Sequence, residues 1–503
     1  MSGAAQALSS QQDLVPRLFS NPELIRNVRG QLRRGRMLAA GGICAALCIT
    51  LGYAHYAGAD NAKSGEWARE WLQWMVSIQA ITLAIGGGIT CVQAISREKE
   101  LNTFDFQRVT RLTPLELAFG KLFGAPALAY FVFLCFMPAA LIAAAVGKAR
   151  PSFLIAAYVF LILCAITFHA VSLVMSLVIE RAASAGAALL LLLMVGYSNV
   201  PGLGVMDLGP LSPFYANVLI TKSDWGEFWK APAGLGFEQT SVQFFGTAIP
   251  HPLAAAVLFL TFTAWMLLAL MRNIKRDPAV YQLFSPAQFL GLILYANTIL
   301  IGFFGWRRFP SLTAQAVLLV LNVVLMGVLA LALLRNRDQL RRGLREMGTK
   351  ASWWAEATWP APYLLAGFLL VGPAVNLSTH IMKNAAPPWD LGLAFFRVAF
   401  IALWMIRDTL FLQWMNLRRI RRPLPMGMLY LMVFYLCTTI FASILEIHDA
   451  AGISALMPTG VLGLDPMGLA RDTLGWYTAL LTQMVPIAIF VYLQHEKIEE
   501  LAK

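Results

Sequence analysis

Ionisable side chains are sparse in this chain, and one stretch gathers them. Between residues 96 and 121, Glu98, Glu100, Asp105 and Glu116 mix with Arg97, Lys99, Arg108, Arg111 and Lys121. Phe104, Phe106, Val109 and Leu112 recur among them at helix-compatible spacing. Recognition suits this mixture better than catalysis, because an apolar ridge with a charged rim docks well on a protein partner. Nucleotide chemistry is not expected. A phosphate cradle needs G-x-x-x-x-G-K-[ST], yet Gly120-Lys121 runs into Leu122 and Gly147-Lys148 into Ala149. The six cysteines form no CxxC pair, so a metal centre is not expected. His169 stands alone in an apolar run, and Glu446, His448, Asp449, Asp465 and Asp472 read as a solvated loop. No catalytic, cofactor-binding or metal-ligating residue is assigned.

The elements that must position the 96–121 stretch are membrane helices. Of 503 residues, 58% are hydrophobic and 13% charged, against about a quarter charged in soluble proteins. A bilayer core takes ~20 apolar residues per helix. Twelve such segments are readable, near 37–56, 72–95, 122–147, 152–179, 183–200, 252–271, 286–306, 313–334, 361–381, 391–406, 426–445 and 474–494. Backbone groups in lipid must pair within the segment, which makes these helices. The expected fold is an all-α polytopic membrane protein of about twelve transmembrane helices. Placing both termini in the cytoplasm puts 28 of the 39 Lys and Arg on the inside, 10 outside and Arg397 within a span. That asymmetry matches the positive-inside rule and a cell (cytoplasmic or inner) membrane. The net charge of +12 is thereby assigned to cytoplasm and anionic lipid, not to nucleic acid.

Ahead of the first span, Asn21 is placed to cap a helix and Pro22 to begin it. Leu24, Ile25, Val28 and Leu32 then share one face, with Arg26, Arg29, Arg33 and Arg36 on the other. This predicts an amphipathic elbow helix lying in the membrane interface. In the 96–121 loop, Thr113-Pro114 is expected to end one helix and start another. The run Gly86-Gly87-Gly88 is a packing site by default and a candidate hinge. Trp225 and Trp229 in the outer segment 201–251 suit an interfacial anchor.

These elements together resemble the type-2 ABC exporter permeases. Members carry an E-R-E-x-G-T element at the end of the second span, a T-P-L-S-like step and a G-K pair entering the third. Here the matching residues are Glu98-Lys99-Glu100-Leu101-Asn102-Thr103, Thr113-Pro114-Leu115 and Gly120-Lys121. Lys stands for the Arg, Asn for the Gly and Glu116 for the Ser. Asn21-Pro22-Glu23-Leu24 matches the family's N-P-x-L start, and 201–251 its long outer segment before the sixth span. The resemblance covers roughly residues 20–285. It implies a permease that forms the export pathway, with ATP and Mg bound by a separate ATPase subunit. The coupling loop would dock on that subunit through Glu98, Glu100, Thr103, Asp105, Arg108, Arg111, Pro114 and Lys121. The elbow would pack beside it.

The domains expected are a tail and elbow (1–36), a six-span permease-like region (37–285) and a second six-span region (286–503). Arg337-Asp338-Gln339-Leu340-Arg341-Arg342-Gly343 echoes Arg29-Gly30-Gln31-Leu32-Arg33-Arg34-Gly35, and 407–425 loosely mirrors the coupling loop. Two readings stay open: a diverged second permease half, or an accessory bundle with two copies of the chain per transporter. The rival functions are an ion-coupled secondary transporter and a membrane-embedded transferase. The first wants acidic residues or His near the membrane midplane, the second a carboxylate or His cluster at an interface.

Overall fold

The computed structural model describes residues 20–59, 65–178, 213–221, 241–276, 283–304, 391–420, 423–444 and 473–502, with positions 327, 334, 335, 337, 338, 340 and 341. Spans expected at 183–200, 313–334 and 361–381, and the loops holding Trp225, Trp229 and 446–472, lie outside these residues or almost so. The described part is mostly helical, and the chain divides into two compact units, 1–242 with 248–283 and 243–247 with 284–503.

The first unit begins with the elbow α1 (Pro22–Gln31), and α2 (Arg34–Ala57) follows almost at once. Next come α3 (Glu66–Ala80), a π-helical turn (Ile81–Gly86) and α4 (Gly87–Glu100), a continuous 35-residue helix. The short α5 (Phe104–Arg108) and then α6 (Pro114–Gly124), α7 (Ala127–Val146) and α8 (Pro151–Val178) complete its first part. After α9 (Tyr215–Thr221), the chain forms strands β1 (Ser241–Phe244) and β2 (Thr247–Pro250), whose residues 243–247 count with the second unit, and then α10 (His251–Asn273) of the first. Among the described residues, five helices are long and apolar enough to cross a membrane: α2, the α3–α4 helix, α7, α8 and α10. The chain is therefore a membrane protein by helix length and composition.

Packing inside this unit follows membrane rules. Small residues line the contacts: Ala140 and Ala143 of α7 and Ala157 and Ala165 of α8 are buried with Leu72, Met75, Phe136 and Leu161. Small side chains let helix backbones approach where no hydrophobic effect drives them together. Large apolar residues face outward instead, among them Leu38, Ile49 and Tyr53 on α2. Interhelical hydrogen bonds add direction. Gln79 donates to the Phe133 carbonyl (3.0 Å) and accepts from the Tyr158 hydroxyl (3.0 Å).

Several boundaries differ from expectation. The third span was placed at 122–147, but its helix divides at Ala125-Pro126, since proline cannot donate a backbone N–H. Lys121 thus sits on α6, ahead of the span. The elbow ends at Gln31, so Arg33 stands at the position just before α2, without a side-chain capping bond, and Arg36 lies in its first turn. Only Arg26 and Arg29 of the four arginines ride on the elbow itself. A single short hairpin accompanies the helices among the described residues: Phe245 and Gly246 both take positive φ (47° and 77°), the backbone of a tight two-residue turn.

The second unit contains α11 (Pro286–Phe304), α12 (Leu391–Asn416), α13 (Pro423–Ile444) and α14 (Thr473–Ala502). Helix α12 packs on both α13 and α14. The loop expected at 407–425 is mostly absent, because α12 runs to Asn416 and α13 starts at Pro423. Arg407 and Asp408 are therefore helical and buried or nearly so, not part of a basic loop. At this end of the unit, Leu340, Leu417 and Leu501 pack together, and Gln413 exchanges hydrogen bonds with the Arg335 backbone (2.8 and 3.0 Å).

Candidate functional site

The 96–121 stretch is shaped first by how α4 stops. Asn102 adopts a left-handed conformation (φ 55°). The Asn102 N–H donates to the Lys99 carbonyl, and the Thr103 N–H to the Glu98 carbonyl (3.1 and 2.9 Å). These two bonds form a Schellman cap, whose left-handed position favours Gly and next Asn. The Thr103 hydroxyl also donates to the Glu98 carbonyl (3.2 Å). Thr103 thus closes the helix end. Thr113 starts α6 with a capping box, accepting from the Glu116 N–H while Glu116 accepts from the Thr113 N–H (2.7 Å). Pro114 occupies the first turn, as its fixed φ and missing N–H allow.

These caps bring three remote segments to one point. Asn21 caps α1 by accepting from the Glu23 N–H (2.9 Å), and its amide donates to the Glu116 carbonyl. Gly120 and Gly124, one turn apart on α6, form the floor under α1. A Cβ at Gly120 would lie 2.9 Å from the Glu23 side chain, and one at Gly124 would lie 2.8 Å from Asn27. On that floor the Lys121 ammonium, 1% exposed, donates to Glu23 (3.0 Å) and Glu98 (2.5 Å). Arg26 bridges the same two carboxylates (2.9 and 2.5 Å) from the open side. Asn27 donates to Glu23 (2.9 Å) and Gln107 of α5 to Glu98 (2.7 Å). Burial alone would raise the Glu23 pKa. The Lys121 ammonium, then Arg26, outweigh it and hold the carboxyl below its ordinary value.

The expected coupling residues therefore separate into two groups. Glu98 and Lys121 face inward in the cluster, and Lys99 caps the end of α8 by donating to the Leu177 carbonyl, where a cation is favoured. Glu100, Asp105 and Arg111 are exposed, and Arg108 is half-buried on Asp105 (2.7 Å). The apolar ridge also divides: Phe104 is buried, whereas Leu101, Phe106 and Val109 project outward at 71%, 74% and 82% exposure. Lys275, just beyond α10, donates to the Thr110 carbonyl (2.8 Å). The elbow, the loop and the end of α10 thus share one end of the unit.

Sequence reading missed the partners of Lys121 and the floor of Gly120 and Gly124, although G-x-x-x-G in an apolar run was a signal. His169 is not alone. It contacts the Leu83 carbonyl through Nε2 (2.8 Å) and the Tyr130 hydroxyl through Nδ1 (3.2 Å). A carbonyl only accepts, so Nε2 carries the proton and Nδ1 accepts from Tyr130. Leu83 lies within the π-helical turn. Gly87 explains itself by packing, since a Cβ there would lie 2.2 Å from His169 Nε2. Gly88 is buried, and Gly86 has open space around its missing Cβ. Of the three candidate hinge positions, Gly86 is where a substitution tests flexibility without a clash.

No protein-family model, curated protein or solved structure matches the chain. Among the described residues no group of His, Cys, Asp and Glu is arranged to hold a metal.

In the second unit, Arg407, Asp408, Trp404 and Tyr435 form another polar cluster. Arg407 donates to Asp408 (2.9 Å) and to the Tyr435 hydroxyl (2.8 Å). Trp404 donates to the same hydroxyl (2.8 Å), which in turn donates to Asp408. The Arg407 guanidinium also lies 5.9 Å from the Phe434 ring centre.

Proposed function

We propose that this chain is the membrane-spanning permease subunit of an ATP-driven exporter, powered by a separate ATPase that docks on residues 98–121. In this reading twelve helices span the cytoplasmic membrane, with both termini inside, and a second permease copy or the second unit completes the pathway. The main support is the split of the loop into a locked base and an open ridge. Its inward charges are held by the elbow, while Leu101, Phe106 and Val109 face outward beside Glu100, Asp105 and Arg111. Large apolar residues grouped at a charged rim suit a protein partner. The lock gives that partner leverage. A pull on the loop is carried through Glu98 to α4 and through Lys121 to α6 and α1, without being absorbed locally. A few kcal/mol of differential binding shifts an inward/outward equilibrium.

Co-purification of the tagged chain in mild detergent, with ATPase activity assayed on the eluate, tests the reading. It expects a stoichiometric nucleotide-binding subunit that is lost in Phe106→Asp and Val109→Asp, while the chain's own melting midpoint is kept. A chain that elutes alone and without ATPase activity under several detergents overturns it. One observation favours the ion-coupled alternative: Arg407, Asp408 and Tyr435 meet between two apolar helices. Buried ionisable groups in membrane helices mark binding or ion pathways by default.

A further inference from the structure

We infer that Arg407 anchors an anionic oxygen of a ligand inside the second unit. The proposal stands on that unit alone and does not rest on the coupling reading of the first.

Arg407 is 5% exposed. Its Nε and Nη2 are engaged by Asp408 and Tyr435. Its Nη1 is buried and has no hydrogen-bond partner among the described residues. A buried donor without an acceptor costs about 1–3 kcal/mol, and more when it is charged. Nearly all buried polar groups in folded proteins are paired, so an orphan of this kind needs an explanation. The neighbours do not supply one. The Tyr435 oxygen already accepts from Trp404 and Arg407 and donates to Asp408. Asp408 already accepts through both oxygens. What remains open is a cationic N–H pair that calls for an oxygen, and an anionic oxygen satisfies it best.

Depth favours a ligand over bulk water. Tyr435 lies near the middle of α13, whose 22 residues make about 33 Å of helix, close to the ~30 Å bilayer core. The Phe434 and Tyr435 rings flank the guanidinium at 5.9 and 6.0 Å, which limits its hydration. The ligand class is an anion presenting a carboxylate or phosphate oxygen. A small soluble anion and an anionic lipid share that chemistry.

Asp408 sets the affinity. While ionised it neutralises Arg407, so an incoming anion binds against its field. Removing that charge exposes the full attraction of the guanidinium. A purely structural Arg–Asp–Tyr cluster would show no such gain, because loss of Asp408 would only weaken it.

The test uses the full chain in neutral detergent and follows its melting midpoint. Sodium benzoate and inorganic phosphate are titrated at constant ionic strength, and in a separate arm phosphatidylglycerol replaces phosphatidylcholine in mixed micelles. One of the probes is expected to raise the midpoint by about 2–4 °C near saturation. Asp408→Asn is expected to lower the half-saturating concentration by about tenfold, Arg407→Lys to raise it and Arg407→Met to abolish the shift. A shift given by benzoate or phosphate identifies a soluble anion, and one given by phosphatidylglycerol alone a lipid. If Arg407→Met does not fold, Asp408→Asn still decides. No shift from any probe in the native chain and Asp408→Asn alike overturns the proposal, as does a shift that Asp408→Asn leaves unchanged.

Discussion

Each unit contains a buried ionic cluster, and the two differ in closure. In the first, Glu23, Arg26, Glu98 and Lys121 come from three segments apart in sequence and every charged group is paired, the buried atom left over being the neutral Gln107 Oε1. In the second, Arg407, Asp408 and Tyr435 come from two successive helices, and one guanidinium nitrogen has no partner among the described residues. Sequence separation gives the first its use. A bond between α1 and α6 carries force between elements that local structure does not join. Closure also suits it to a structural task, since a satisfied pair has nothing left to offer a ligand. The second cluster joins neighbours that already pack, so its polar groups add little to connectivity. A buried cation with an open N–H between two apolar helices is the feature on which the binding proposal rests.

The largest effect that separates the two is loss of the central cation. Lys121→Met removes the buried cation and leaves Glu23 and Glu98 sharing only the exposed Arg26; breaking a buried pair from one side costs about 3–5 kcal/mol at most. The expected result is loss of the elbow from α6, read as faster protease cleavage after Arg26 and Arg29, with a lower melting midpoint. Arg407→Met strands only Asp408, which keeps the Tyr435 donor, and its cost should be smaller. Equal losses would show that the second cluster is as structural as the first.

Next in size is the floor of the lock. Gly120→Leu places side-chain atoms where Glu23 and Leu24 lie, and Gly124→Val does so at Asn27. Overpacking of this kind costs about 1–3 kcal/mol. Both variants should release α1 as Lys121→Met does, although every charge is kept. If they leave α1 protected from protease, the ion pairs alone hold it.

Acidification probes the same lock more gently. The Glu23 carboxyl is depressed below its ordinary value of 4.5 in the folded chain. A depressed carboxylate contributes stability that is present above its unfolded pKa and lost as pH falls through the folded one. Protection of the α1 amides against hydrogen exchange should therefore be constant above about pH 5 and fall progressively below 4.5. In Glu23→Gln that fall should be absent or much reduced. An unchanged acid profile in Glu23→Gln would assign the loss to another carboxylate.

Much of this architecture was legible in the sequence, for identifiable reasons. Helix starts at Asn21-Pro22 and Thr113-Pro114 could be read because caps depend on a few adjacent residues. The long apolar runs could be read because lipid imposes length. The fate of Lys121 could not, since its partners are remote in the chain and a Gly-Lys pair looks alike on a surface or in a core. Arg407-Asp408 was misplaced for a related reason. An adjacent opposite pair reads as a loop, and only the continuation of α12 to Asn416 with Tyr435 across from it reveals a buried site.

The smallest effect concerns the end of α4, where the resembled family has Gly and this chain has Asn102. The left-handed backbone there disfavours a Cβ, by roughly 1–2 kcal/mol for ordinary residues, and Asn tolerates it best after Gly. Asn102→Gly should therefore leave the melting midpoint and the exposure of Phe106 nearly unchanged. Asn102→Val should cost about 1 kcal/mol or more and redirect the chain before α5. Glu98 would then no longer present its carboxylate to both Arg26 and Lys121, because the Thr103 bonds that fix its carbonyl would be lost. Protease protection of α1 in Asn102→Val thus reports whether the lock depends on its charges alone or also on the cap that aims them. Unchanged protection would mean that Glu98 is held by its own helix, and the cap would then matter only to the outward ridge.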